Sequence, residues 1–68
     1  MRESFNIFHW EFYQDKGDPT VYVYEKRSGD VIGYIPNVQS VREIENDLSQ
    51  DFTEEEVYLW IDNNIEWY

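Results

Sequence analysis

The chain has no cysteine, a single histidine, no apolar run long enough to cross a bilayer, and only five basic residues among 68. Without cysteine there is no disulfide framework, which is the usual support of secreted domains this small, so the expected compartment is the reducing cytoplasm. Met1-Arg2-Glu3-Ser4 leads directly into an aromatic, strand-like pattern, without the apolar region or small-residue cleavage site of a signal peptide. The longest apolar stretches, such as Val21-Tyr22-Val23-Tyr24, fall far short of the roughly 18 residues that a membrane span needs. No membrane partner is expected.

The scarcity of base matters most. Five Lys and Arg stand against 15 Asp and Glu, a formal charge of −10. Such a field repels phosphate, so direct binding to nucleic acid or anionic lipid is not expected. Chemistry is equally short of parts. His9 lies two residues from Glu11 on one face of an extended run, an acid–base pair in principle, but the chain offers no cysteine and no Gly-x-Ser-x-Gly elbow to supply a nucleophile. One histidine is too few for the common zinc sites. Asp15-Lys16-Gly17-Asp18 and Glu54-Glu55-Glu56 lack the ligand spacing of a calcium loop, and no glycine-rich loop is present to cradle phosphate. The expectation is a protein that is not an enzyme, with no catalytic residues, metal or cofactor. So short a chain also leaves little volume for a ligand pocket of about 300 Å³ or more.

Aromatic residues are abundant: 4 Phe, 3 Trp and 6 Tyr. Each can bury roughly 150–250 Å², so they substitute for chain length in building a core and exclude a disordered acidic tail. Residues 5–13 alternate as one long strand, with Phe8, Trp10 and Phe12 on one face and Phe5, Ile7, His9, Glu11 and Tyr13 on the other. The cluster from Gln14 to Pro19 reverses the chain. Residues 20–26 and 31–35 then form a hairpin around Arg27-Ser28-Gly29, with Gly29 left-handed and pairs Lys26–Asp30, Tyr24–Ile32, Tyr22–Tyr34 and Val21–Ile35. That register puts Val21, Val23, Val31 and Ile35 on one face and Tyr22, Tyr24, Ile32 and Tyr34 on the other.

Two helices follow, over 41–50 and 54–65, each opened by a capping box: Ser40 with Glu43, and Thr53 with Glu56. Val41, Ile44 and Leu48 make one apolar stripe; Val57, Trp60, Ile61 and Ile65 make the other, with Tyr68 extending it. The expected fold is therefore a single α+β domain over 1–68, a three-stranded antiparallel meander followed by two short antiparallel helices.

Charge is distributed unevenly along this order. Residues 1–42 hold six acids and all five bases, whereas residues 43–68 hold nine acids and no base. Surface helices normally mix both signs, because like charges four residues apart repel; here Glu43 stands four before Asp47, and Asp62 four before Glu66. At about 1.5 Å rise per residue, Glu55 and Asp62 lie roughly 10 Å apart along a helix, a spacing comparable with that of successive phosphates. Leu59 and Tyr58 sit among these acids as apolar anchors.

The expectation is a small acidic interaction protein of the nucleic-acid-mimic kind, inhibiting a basic nucleic-acid-processing protein, as antitoxins, immunity proteins and anti-defence proteins of phages and mobile elements do. Its partner-binding residues would be Glu43, Asp47, Asp51, Glu54, Glu55, Leu59, Asp62 and Glu66. The alternative is a subunit or dimeric adaptor that docks through an aromatic sheet face bearing Tyr22, Tyr24 and Tyr34, with acidity serving solubility.

Overall fold

The computed structural model describes residues 2–48 and 51–68, in the order β1 (Arg2–Ile7), β2 (Trp10–Asp15), β3 (Val21–Glu25), β4 (Asp30–Ile35), α1 (Val41–Leu48), α2 (Glu54–Asn64) and β5 (Glu66–Trp67). The strands form one antiparallel sheet in the order β1-β2-β3-β4-β5. The three-stranded meander expected from the sequence is thus corrected to a four-stranded meander, two helices and a fifth edge strand. The final residues of the helix expected over 41–50 lie outside the described residues.

The first correction concerns residues 5–13. They do not form one strand; they fold back at Phe8-His9, so that Ile7 pairs with Trp10 and Phe5 with Phe12. Neither turn residue is Gly, Asn or Asp, and Phe8 takes φ 53°, a conformation costing roughly 1–2 kcal/mol outside glycine. Folding back moves Phe5 and Ile7 onto the face of Trp10 and Phe12, and Phe5 stacks on Phe12 at 4.9 Å and 4°. Burying one such ring is worth about 4–5 kcal/mol at 25 cal/mol/Å², so burial outweighs the backbone strain. Phe8 is left 50% exposed at the tip. The turn is tied down by Lys26 N–H, which donates to the His9 carbonyl at 2.8 Å.

The second correction concerns the β3–β4 hairpin. Tyr22–Tyr34 and Val21–Ile35 pair as the sequence suggests, and Gly29 is left-handed at φ 74°. A bulge between Val23 and Tyr24 then shifts the register, so Tyr24 faces Val31, and Glu25, rather than Lys26, faces Asp30. In consequence Ile32 packs against the core and Val31 moves to the tyrosine side, the reverse of the expected sorting.

One core lies between the sheet and the helices. Phe5, Trp10, Phe12, Val21 and Val23 from the sheet meet Val41, Ile44 and Leu48 from α1, Val57 and Ile61 from α2, and Ile65 just beyond it. Gln14 is buried within this layer, 6% exposed, and its amide is fully used. Its Nε2 donates to the carbonyls of Asp18 at 3.0 Å and Val38 at 2.8 Å, and its Oε1 accepts from the first helical N–H of α1, that of Val41, at 3.0 Å. One side chain thereby joins the β2–β3 turn, the loop before α1 and the start of α1.

Both helix starts are capped. Glu43 Oε2 accepts from Ser40 N–H at 3.4 Å, while Ser40 Oγ accepts from Arg42 N–H at 3.2 Å. At α2 the box is reciprocal: Thr53 Oγ1 accepts from Glu56 N–H at 3.2 Å, and Glu56 Oε1 from Thr53 N–H at 2.9 Å. Thr53→Ala is expected to cost about 1 kcal/mol, visible as a lower denaturation midpoint and faster amide exchange in the first turn of α2. An unchanged midpoint would show that the cap carries none of the stability.

The helix stops at Asn64, with Ile65 extended at φ −100° and its N–H bonded to the Ile61 carbonyl. Tyr34 then pairs with Glu66 and Gly33 with Trp67, and Tyr68 N–H donates to the Ile32 carbonyl at 3.1 Å. Tyr68 stacks near Tyr34, at 5.6 Å between ring centroids. It follows β5 at the edge of the sheet and does not extend the apolar stripe of α2.

Candidate acidic interaction surface

All eight residues expected to contact a partner are exposed: Glu43, Asp47, Asp51, Glu54, Glu55, Leu59, Asp62 and Glu66. They do not form one surface. Glu43 and Asp47 lie one turn apart on α1; Glu55, Leu59 and Asp62 recur at i, i+4 and i+7 on α2, away from buried Val57 and Ile61; and Asp51 lies in the loop between the helices. Glu66, expected to continue the α2 row, belongs instead to β5 opposite Tyr34, on the far side of the sheet. The helix breaks before the predicted Asp62–Glu66 repulsion could arise.

Partial neutralisation comes from residues distant in sequence. Glu54 Oε1 lies 3.6 Å from Arg27 Nη2 in the β3–β4 turn and 3.1 Å from His9 Nδ1, and His9 Nε2 is 3.8 Å from Glu25 Oε2. The His9 Nδ1 approach is a close contact and not a hydrogen bond in this geometry. The partners of His9 are therefore Glu25 and Glu54, and the expected His9–Glu11 couple is replaced, because His9 sits in a turn and not within a strand. On α1, Arg42 donates to Glu45 at 2.7 Å and to the Ser4 carbonyl on β1 at 3.3 Å; the Glu45 hydrogen bond raises the arginine pKa. Among the described residues, Asp47, Asp51, Glu55 and Asp62 have no basic partner. The three acids opening α2 gain from the helix dipole, which accounts for their position without a metal.

Sequence reasoning missed the aromatic floor beside these acids. A shallow groove of about 430 Å³ is lined by His9, Trp10, Glu54, Glu55 and Tyr58. The His9 ring lies 3.8 Å from that of Trp10, and Tyr58 stands 6.5 Å from Trp10. Tyr58 and Leu59 are each about half exposed, so apolar contact area is embedded in the acidic field. Nothing local in the sequence marks this groove, because it depends on the Phe8-His9 turn. A larger open groove of about 660 Å³ runs beside Gln14, Asp15–Pro19, Val38 and Gln39, more volume than the chain length suggested. Several of its polar groups serve the fold: Asp15 pairs with Arg2, and Asp18 accepts from Thr20 N–H and the Tyr22 hydroxyl.

Among the described residues, no helix packs on the opposite face of the sheet. Pairing aligns Ser4, Tyr13, Tyr22, Tyr34 and Glu66 in one row, with Asn6, Glu11, Tyr24 and Val31 in the next. Tyr13 and Tyr22 stack at 5.4 Å, and the Arg2 guanidinium lies 4.5 Å above the Tyr13 ring. Tyr22, Tyr24 and Tyr34 are half-buried; Tyr22 packs on Tyr13, and Tyr34 lies against Tyr68. Burial raises the Tyr13 pKa, and the hydrogen bond to Asp18 raises that of Tyr22.

Comparison with protein-family models, with curated proteins and with solved structures finds no match for this chain. No helix among the described residues is long and apolar enough to cross a membrane.

Proposed function

We propose that this chain is a small interaction protein that binds, and thereby inhibits, a basic nucleic-acid-processing protein in the cytoplasm, its acidic helical layer taking the place of the phosphate backbone. The observation that carries this reading is the set Asp47, Asp51, Glu55 and Asp62, exposed and without basic partners among the described residues, on the same layer as half-exposed Tyr58 and Leu59. A solvated acidic surface needs no apolar anchors, whereas a binding surface does: carboxylates steer the encounter and set register, and desolvated aromatic and aliphatic groups supply most of the affinity.

The test replaces Glu43 and Glu55 by Gln and Asp47 and Asp62 by Asn in one variant. Wild-type protein is expected to retain a basic, nucleic-acid-binding protein from cell lysate, to release it when duplex DNA is added, and to associate more slowly as salt rises, because the Debye length of about 8 Å at physiological ionic strength screens the approach. The variant should remain folded and associate about tenfold more slowly at low salt, with a flatter salt dependence. A partner that binds both proteins equally, at a rate indifferent to salt, would remove this reading.

A further inference from the structure

We propose that the tyrosine face is the contact surface of a homodimer, in which two sheets pack face to face with their helices outward and β1 of each copy lies over β5 of the other. This goes beyond the acidic-surface reading and does not depend on it.

Three observations select a second copy as the occupant. The first is where charge lies. Of the nine acids in residues 43–68, only Glu66 is on the tyrosine face, and the other eight sit on α1, α2 or the loop between them. Face-to-face sheets lie about 10 Å apart, and each helical layer stands about 10 Å beyond its sheet, so the two acidic layers would be roughly 30 Å apart, several times the Debye length of about 8 Å. Glu11 and Asp15 of β2 also stand on this face, Asp15 paired with Arg2 at 3.0 Å, so two chains of charge −10 meet here with less mutual repulsion than they would through the helices.

The second is area. At about 4.8 Å between strands and 3.4 Å per residue, strands of 6, 6, 5, 6 and 2 residues offer roughly 400 Å² of flat surface. The relief of Tyr13, Tyr22, Tyr24, Tyr34 and Tyr68 adds to this, which places the contact at the small end of specific interfaces, below the roughly 800 Å² per partner of a standard one. Tyrosine suits such a contact, offering apolar rings with a hydroxyl that can be satisfied in water or across an interface.

The third is complementarity between the two edges. Arg2 is on β1 and Glu66 on β5, at opposite ends of the sheet. A two-fold axis between the sheets and parallel to the strands sets β1 of one copy over β5 of the other. The Arg2 guanidinium already leans over Tyr13, which shares its cross-strand row with Glu66, so the axis brings Arg2 toward Glu66 of the second copy at both ends of the interface. Among the described residues, Arg2 is engaged through Nε alone, by Asp15 at 3.0 Å, which leaves its terminal nitrogens available.

Sedimentation equilibrium of the full chain from nanomolar to high micromolar concentration tests this. Wild-type protein should pass from 8.4 kDa to twice that mass as concentration rises. Tyr22→Lys, checked for folding by circular dichroism, should weaken the association by about tenfold or more. Should that variant fail to fold, the edge charges provide the test: Arg2→Glu and Glu66→Arg should each weaken the dimer, and the two together should restore it. The variant neutralised at Glu43, Asp47, Glu55 and Asp62 should dimerise as wild type does, so failure of the acidic-surface reading and failure of the dimer are read separately. A mass of 8.4 kDa at every concentration overturns the proposal, as does a dimer that neither Tyr22→Lys nor the edge-charge variants weaken.

Discussion

Gln14→Leu is expected to lose about 3 kcal/mol, at least about a third of the stability that a domain of this length commands. The leucine would fit the volume, but three backbone groups would lose their only side-chain partner: the N–H of Val41 and the carbonyls of Asp18 and Val38. Each buried orphan costs roughly 1–3 kcal/mol, against a total of about 3–10 kcal/mol at 0.05–0.15 kcal/mol per residue. The measurement is urea denaturation together with amide exchange at Val41, where protection should collapse before that of the β2–β3 ladder. Gln14→Glu makes the loss specific, since a carboxylate still accepts from Val41 N–H but repels both carbonyls. An unchanged midpoint in Gln14→Leu would show that water satisfies all three groups and that the side chain is not the clamp between turn, loop and helix.

Gly33→Val is expected to release β5 at a cost of about 2–3 kcal/mol. A Cβ at Gly33 would collide with the Glu66 carbonyl oxygen and lie 2.8 Å from Ile65 Cδ1. The first obstacle is backbone, so no rotamer change relieves it, and overpacking of this kind typically costs 1–3 kcal/mol, about the upper end of which applies here. With β5 displaced, Ile65 loses its cover, the Tyr68 N–H bond to Ile32 is broken, and the Tyr34–Tyr68 contact is lost. Amide exchange at Tyr68 and the denaturation midpoint read this directly. If Gly33→Val keeps full protection at Tyr68, the fifth strand does not depend on the missing side chain. Because β5 carries Glu66 and leads directly into Tyr68, the same substitution should also weaken self-association.

The acidic helical layer and the tyrosine face lie on opposite sides of the sheet, and that separation follows from one packing choice. The apolar residues of β2 and β3 at alternate positions, Trp10, Phe12, Val21 and Val23, take both helices, so the intervening tyrosines are left to pack on one another.

How much of this was legible beforehand depends on the range of the interaction responsible. The α2 capping box was read directly, because Thr53 and Glu56 need only each other. The buried stripes Val41-Ile44-Leu48 and Val57-Ile61 follow from a period of 3.6, and Gly29 follows from a turn that needs positive φ. The charge asymmetry is composition alone. The Phe8-His9 turn has no such signal: an aromatic residue takes the strained position because Phe5 and Ile7, several residues away, gain a place in the core. β5 likewise depends on Gly33 and on a β4 edge far upstream in sequence, where Gly33 pairs with Trp67, and the clamp of Gln14 on three segments that meet only after folding. The sequence by itself determined the cap, the helical stripes and the sign of the field, because those energies are local or additive. Tertiary structure decided the strand count, the partners of His9 and the side to which Glu66 belongs, because each is set by burial shared among distant residues, which outweighs the local preference of any one of them.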